Sequence, residues 1–238
     1  GAIETAHRAN RLAGQIFRYA IVTGRSKHNP SIDLKDALTQ PIKSHRKSIT
    51  DPAEVGPLMA AIKNYQATPV VMAALQLSPL FLCRPGELRH LEWAEVNFAE
   101  ARIELPASKM KMKEPHIIPL ASQAIAILKE LQPISGRGKY VFPSARGASR
   151  PLSDNGVRTA LRTLGYTNDQ ICPHGFRAMG RTILDEVLNF PVDWIEHQIA
   201  HSVKDANGRA YNRTKHLPQR HQMMQTWADY LDSLASGE

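Results

Sequence analysis

The sequence predicts a mostly α-helical α+β fold with one small antiparallel β-sheet. Apolar residues recur at three- and four-residue spacing through most of the chain, as in 154–164, which is the pattern of amphipathic helices. The period changes only between residues 96 and 120, where 102–105 alternates and 116–120 is rich in β-formers. We therefore expect helices on both sides of a short β-hairpin.

The first 45 residues predict a helical piece followed by a linker. Residues 4–20 place apolar side chains on one stripe, and 41–48 is polar, basic and typical of an interdomain linker. Asp51-Pro52-Ala53-Glu54 then provides an N-cap, a proline at the first helical position and a glutamate at the third. We expect a domain boundary near residue 45 and a new domain over 46–238.

Within 46–238, residues 69–82 form a nearly continuous apolar helix, which is the expected buried centre. Arg84 follows its end, and another helix begins at Glu87-Leu88. Ser153 is predicted to cap the helix that Gly165 ends. The remaining predicted helices are 122–131, 154–164, 174–187, 192–201 and 219–234. The helix at 174–187 is expected to bury an apolar stripe made of Phe176, Gly180, Ile183 and Val187.

Composition excludes several classes of protein. No apolar run approaches the roughly 18 residues of a membrane span, and two cysteines are too few for a disulfide framework, so we expect a cytoplasmic protein. The net charge is +8, and it is uneven: residues 1–50 carry nine Lys or Arg against three acids, and 100–165 carry eleven against five. Two basic blocks favour a polyanion such as nucleic acid as the partner.

One ordered set of residues has the chemistry needed to attack a phosphodiester without a metal. Arg84 lies in Cys83-Arg84-Pro85-Gly86-Glu87-Leu88 and Arg177 in His174-Gly175-Phe176-Arg177; His201 and Tyr211 follow. Two guanidiniums can hold phosphate oxygens by paired hydrogen bonds. Imidazoles move protons near neutral pH, and a phenol is a nucleophile once its proton is accepted.

These segments, together with a lysine in the hairpin loop and Ala-Tyr-Asn-Arg around Tyr211, closely resemble the catalytic domain of the tyrosine recombinases, in the phage and genomic-island integrase branch. The similarity covers about residues 50–238. It implies that 46–238 is the catalytic domain. It also implies that 1–45 is the C-terminal remnant of a helical core-DNA-binding domain plus linker. The implied activity is cleavage and rejoining of duplex DNA to integrate or excise a mobile element.

The resemblance also implies a role for each catalytic residue. Tyr211 would attack the scissile phosphate to give a 3′-phosphotyrosyl bond, while Arg84, Arg177 and His201 would bind its oxygens. His174 would accept or relay the phenol proton.

Lys111 would protonate the leaving 5′-oxygen, although Lys109 and Lys113 project from the same loop, and Glu87 would orient its neighbours. Further candidate DNA contacts are Lys109, Lys113, Arg158, Arg162 and Arg181.

The resemblance implies no metal or cofactor. The implied partner is double-stranded DNA at attachment sites, bound by a chain that is monomeric in solution and tetrameric on DNA. The C-terminal helix would dock on a neighbour, and DNA-bending and excisionase proteins would be accessory partners. Two other functions remain open: a type IB topoisomerase and a non-catalytic DNA-binding module. His197 and His201 have zinc-ligand spacing, but residue 198 is Gln where a zinc protease has its general base.

Overall fold

The structure is a computed structural model that describes residues 2–34, 37–40, 47–201 and 216–237. The chain divides into two compact units, residues 1–45 and 46–238. Over the described residues, no helix is both long enough and apolar enough to cross a bilayer.

The first unit consists of α1 (Ile3–Val22) and the turns after it. Gly14 is the one buried residue of α1, and a Cβ there would lie 3.0 Å from Oγ of Ser31. Asn29 completes the contact, because its Oδ1 accepts hydrogen bonds from the backbone N–H and the hydroxyl of Ser31 at 3.0 and 2.7 Å. The apolar stripe of α1 is largely exposed, with Ile16 at 58%.

The second unit contains the remaining helices and two small sheets. The helices are α2 (Pro52–Lys63), α3 (Pro69–Phe81), α4 (Pro85–Arg89), α5 (Ser122–Ser135), α6 (Gly156–Thr163), α7 (Gly175–Glu186), α8 (Val192–Gln198) and α9 (Leu217–Ser236). The strands are β1 (Val96–Asn97), β2 (Arg102–Leu105), β3 (His116–Pro119), β4 (Pro143–Ser144) and β5 (Gly147–Pro151). The mostly helical α+β fold is therefore confirmed.

The predicted hairpin is the β2–β3 pair of an antiparallel sheet with order β1-β2-β3, in which Ile103 pairs with Ile118. The β4–β5 ribbon was not predicted, since β4 has two residues and β5 contains no alternating apolar pattern. Asp51 does cap α2, accepting from the Ala53 N–H at 2.9 Å.

Two local predictions were wrong. Ser153 does not cap α6, because the helix begins one residue after Asn155 and only the Ser153 backbone carbonyl bonds to it. Val187 is 40% exposed rather than buried, because α7 ends at Glu186 and the chain turns there.

Helix α3 forms the buried centre, as predicted, and α9 packs on it and on α2 within the same chain. Trp227 is fully buried and donates from Nε1 to the Pro79 carbonyl at 2.9 Å. A Cβ at Gly56 of α2 would lie 2.6 Å from the Leu234 carbonyl, so only glycine permits this approach. The inner face of α9 is thus covered by α2 and α3 of the same chain.

Candidate active site

The candidate site is built on the end of α8. The Ala200 N–H bonds to the His197 carbonyl and the His201 N–H to the Glu196 carbonyl, at 3.2 and 3.0 Å. These two bonds, with Ala200 at φ +50°, form a Schellman motif, the usual way to end a helix. Glycine is the common residue at the left-handed position, and here it is alanine. The motif turns the chain so that His201 lies over the last turn of α8.

Two arginines donate hydrogen bonds to consecutive backbone carbonyls in this turn. Arg177 donates from Nη2 to Ile199 O at 2.5 Å, and Arg84 donates from Nη2 to Ala200 O at 3.1 Å. Helix ends leave such carbonyls without intrahelical donors and carry partial negative charge, so cations are stabilised there. Arg84, Arg177 and His201 are therefore brought together by three consecutive residues, 199–201.

Glu87 fixes Arg84 from the other side. Glu87 is the third residue of α4, and its Oε2 accepts from the Arg84 backbone N–H at 2.8 Å while Oε1 accepts from Arg84 Nη1 at 2.7 Å. The Glu87 side chain is 5% exposed and that of Arg84 is 19% exposed. The proposed supporting carboxylate thus lies behind a guanidinium that is still reachable from solvent.

Arg177 is more deeply placed. It is 4% exposed, and its Nη1 donates to the Leu82 carbonyl at 2.8 Å. Burial, and secondarily the charge of Arg84, lowers the pKa of Arg177, although a guanidinium stays protonated at physiological pH. The described contacts of each arginine use only part of its five N–H donors. Both side chains therefore keep N–H donors that these contacts do not use.

The carbonyl of Leu82 reaches Arg177 because the Leu82 backbone is left-handed (φ +53°) and its side chain packs on Gly180. A Cβ at Gly180 would lie 2.5 Å from both terminal carbons of Leu82. Gly180, which looks unusual in the sequence, therefore makes room for the residue whose carbonyl holds Arg177.

His201 is held by Glu196, which sequence reasoning missed. Its Nδ1 lies 2.6 Å from Glu196 Oε2, and Arg181 Nε donates to Glu196 Oε1 at 2.8 Å. Arg181 also lies 3.7 Å from Asp185. Arg181 is thus paired with two carboxylates, and its assignment as a DNA contact stays a prediction. No spacing rule links Arg181 to Glu196, because they lie on different helices.

His174 immediately precedes α7 and is partly buried. The next residue, Gly175, is closely packed: a Cβ there would lie 2.5 Å from the Lys47 carbonyl, and Ser48 Oγ donates to Gly175 O at 2.7 Å. The start of the second unit therefore fixes the backbone that carries His174.

The three loop lysines are not equivalent. Lys109 Nζ lies 2.7 Å from both Glu92 Oε1 and Glu95 Oε1. It also donates to His90 O, and its hydrogen bond lowers the pKa of Glu92. Lys111 and Lys113 are exposed. Lys109 therefore holds the loop, while the ammonium groups of Lys111 and Lys113 lie on the surface.

Arg158 and Arg162 are exposed on α6, on the face opposite its buried residues, as predicted. Tyr211 lies outside the described residues, so its assignment as nucleophile stays a prediction.

A buried polar network behind the site was also missed. Arg220 is 1% exposed on α9 and donates to Gln198 Oε1 at 2.8 Å and to the Ile117 carbonyl at 2.6 Å. His116 of β3 donates from Nε2 to the Gln198 carbonyl at 3.1 Å, and burial lowers its pKa to about 3. Gln198, the residue that argued against a zinc site, thus joins α8 to α9 and to the strand after the lysine loop.

One signal was available for Arg220. It occupies the same helical stripe as Met223, Met224, Trp227 and Leu231, all of them buried.

Both cysteines are free, and burial raises the pKa of Cys83 between Leu82 and Arg84. Its thiol is therefore protonated at neutral pH and is a poor nucleophile.

Comparison with known proteins agrees with this geometry. Residues 49–216 match the model of the phage integrase family, and residues 1–37 match that of the phage integrase central domain. The chain is 36% identical to the integrase of Enterobacteria phage P4 over 98% of its length, and 36% identical to that of Shigella phage Sf6 over 98%. It spans only 56% and 60% of those two relatives.

Its fold is similar to that of lambda integrase, solved as a tetramer bound to a Holliday junction, with a TM-score of 0.61 and 18% identity. That match covers 89% of this chain and 62% of the lambda chain. A family match that spans most of the chain, an arginine pair beside a histidine, and the fold together lead to one conclusion: the chain belongs to the phage integrase family of tyrosine recombinases.

Proposed function

We propose that this chain is the catalytic part of a site-specific recombinase that cleaves and rejoins duplex DNA. One observation carries the proposal: Arg84 and Arg177 are held on consecutive carbonyls next to His201. Fixed donors aimed at one place stabilise charge that develops in a transition state, without reorganising at the moment of reaction. A phosphodiester is the substrate that two guanidiniums and an imidazole suit.

In the proposed step, the Tyr211 hydroxyl oxygen attacks the scissile phosphorus while the bond to the 5′-oxygen breaks. The phenol proton passes to His174, and Lys111 gives a proton to the leaving 5′-oxygen. Arg84, Arg177 and His201 hold the non-bridging oxygens. The products are a 3′-phosphotyrosyl bond and a free 5′-hydroxyl, and attack by another 5′-hydroxyl reverses the step to rejoin the strands.

The proposed partner is double-stranded DNA carrying attachment sites, and the proposed assembly is a tetramer on two sites. The lambda relative, which was solved as a tetramer on a Holliday junction, supports both. Residues 1–45 are proposed to belong to a DNA-binding domain, in line with their central-domain match. The exposed Lys111, Lys113, Arg158 and Arg162 would contact phosphates, so binding should weaken steeply with salt.

The test is to incubate the protein with a pool of nicked duplexes in EDTA and look for a protein–DNA adduct that survives denaturant. We expect an adduct from the wild-type protein and from the control Tyr230→Phe, which removes a phenol on α9, but none from Tyr211→Phe. An adduct that persists in Tyr211→Phe would overturn the assignment of the nucleophile. Failure of the wild-type chain to form any adduct would count against the proposed activity.

The family match favours a recombinase over a type IB topoisomerase, which uses nearly the same residues. Relaxation of supercoiled plasmids lacking an attachment site, without strand exchange between sites, would instead favour the topoisomerase. A non-catalytic DNA-binding module predicts that Tyr211→Phe changes no measured activity.

A further inference from the structure

We propose that Glu196 is a positioning residue for His201, and that Arg181 holds Glu196 in place for this task. This inference rests on the proposed function, because it assigns a role within the same phosphate site. It adds two residues that are remote from the reacting atoms.

The helix end fixes the geometry. Glu196 and His201 are joined twice, once by the backbone bond of the Schellman motif at 3.0 Å and once by the side-chain contact from Nδ1 to Oε2 at 2.6 Å. The backbone bond keeps the two residues close, and the carboxylate meets the imidazole at Nδ1. With Nδ1 engaged, Nε2 is the nitrogen left to face a phosphate.

The contact between Glu196 and Nδ1 determines which nitrogen of His201 carries a proton. A neutral imidazole has one N–H, and its partner decides which nitrogen carries it. A carboxylate on Nδ1 keeps a proton on that nitrogen and fixes the plane of the ring, and in the doubly protonated ring Nε2–H is then the donor that meets a phosphate oxygen. Carboxylates that hold the second ring nitrogen of metal-binding histidines act in this way, and their loss typically costs about 10- to 100-fold in metal affinity or activity.

Arg181 completes the arrangement. Its Nε donates to Glu196 Oε1, which leaves Oε2 for His201. The side chain of Glu196 is 18% exposed and that of His201 is 49% exposed, so the carboxylate is largely shielded while the imidazole remains accessible. Among the described residues, Arg84 and Arg177 donate to the backbone carbonyls of this helix end, and Arg220 donates to the side chain of Gln198.

The experiment has two readouts. The first is the tautomer of His201, read from its imidazole nitrogen shifts in the ¹⁵N-labelled chain at alkaline pH and assigned with His201→Gln. The second is the initial rate of adduct formation on the pool of nicked duplexes. The variants are Glu196→Ala, Glu196→Gln and Arg181→Gln. The matched control is Asp185→Asn, which removes a carboxylate from the same arginine without touching His201.

We expect the Nδ1–H tautomer in the wild-type protein and in Asp185→Asn, and a larger share of Nε2–H in Glu196→Ala. Adduct formation should slow by about 10- to 100-fold in Glu196→Ala and Glu196→Gln. The decrease in Arg181→Gln should be smaller, because Glu196 keeps its bond to Nδ1. Asp185→Asn should stay within about twofold of wild type, as expected of a surface change.

A wild-type tautomer that Glu196→Ala leaves unchanged would overturn the inference even if the protein forms adducts. The same holds if the tautomer responds but the rate does not. If the wild-type chain forms no adduct, the proposed function fails, and the tautomer alone decides whether Glu196 orients His201.

Discussion

Arg84 is held by the carbonyl of Ala200, a residue with a left-handed backbone: Nη2 lies 3.1 Å from the oxygen, and φ is +50°. The helix end that turns the chain toward His201 therefore also supplies the acceptor for Arg84, a proposed catalytic cation. A substitution that alters the backbone of this turn should therefore displace both Arg84 and His201.

Substitutions at Ala200 test this coupling. Left-handed backbone costs a non-glycine residue about 1–2 kcal/mol, and the greater flexibility of unfolded glycine offsets part of the gain. We expect Ala200→Gly to raise the free energy of unfolding by up to about 1 kcal/mol and to keep adduct formation. Ala200→Val should lower both, because a β-branched residue fits this conformation poorly. Urea titration followed by tryptophan fluorescence measures the stability of the second unit, since all three tryptophans lie there. A less stable Ala200→Gly would contradict the strain argument.

Gly180→Ala should displace Arg177 indirectly, through Leu82. The new methyl would push on Leu82, whose carbonyl holds Arg177, and overpacking of this kind costs about 1–3 kcal/mol. We expect lower stability in urea and slower adduct formation. Gly86→Ala is the control for stability, because a Cβ at that position meets no atom within 4 Å. Equal stability of the two variants would show that the Leu82 contact is not tight.

The buried His116 predicts how stability depends on pH. Burial lowers the pKa of His116 from its ordinary value of 6.5 to about 3, so the imidazole stays neutral in the folded chain while the unfolded chain takes up a proton below pH 6.5. Its contribution to stability is complete above that pH and is lost as pH falls toward 3, by up to about 1.4 kcal/mol per pH unit. In His116→Gln the free energy of unfolding should fall less steeply between pH 6.5 and 4.5. An unchanged slope would show that His116 is protonated in the folded state.

The roles of the three loop lysines can be distinguished by replacing the leaving 5′-oxygen of the substrate. If Lys111 protonates the 5′-oxygen, Lys111→Ala should slow cleavage of ordinary nicked DNA. A substrate with 5′-sulfur in place of that oxygen should restore the rate, because a thiolate with a pKa near 8.5 leaves without a proton. Lys113→Ala should react normally with both substrates. Lys109→Ala should be slower with both, since it releases the loop without removing the acid. Rescue of Lys113→Ala in place of Lys111→Ala would reassign the general acid.

Sequence patterns predicted the parts of this fold that depend on local chemistry. The cap at Asp51, the apolar helix α3 and the β2–β3 hairpin follow from side-chain type and period. Patterns also placed Arg84 just before α4, but they put His201 at the end of a helix predicted over 192–201, whereas α8 ends at Gln198. They could not show that both meet at one helix end, because that end contains alanine where the usual signal is glycine.

Contacts between distant segments were also beyond sequence patterns. Glu196 binds His201 through a helix end, Arg220 reaches Ile117 across 103 residues, and Lys109 is neutralised by two glutamates. Glu196, Arg220 and Lys109 carry charged side chains, which sequence reasoning would ordinarily assign to solvent or to DNA. Only the tertiary arrangement shows that their charges are already used within the protein.

The burial of Trp227 limits how far the chain can be shortened. A protein that stopped before this residue would retain every proposed catalytic group, yet the Pro79 carbonyl would lose its donor and the surface of α2 would be uncovered. Gly56 closes on the carbonyl of Leu234, so even the last turns of α9 belong to the packed interior. We therefore expect a minimal active fragment to extend at least to Leu234, more than twenty residues beyond Tyr211, the proposed nucleophile.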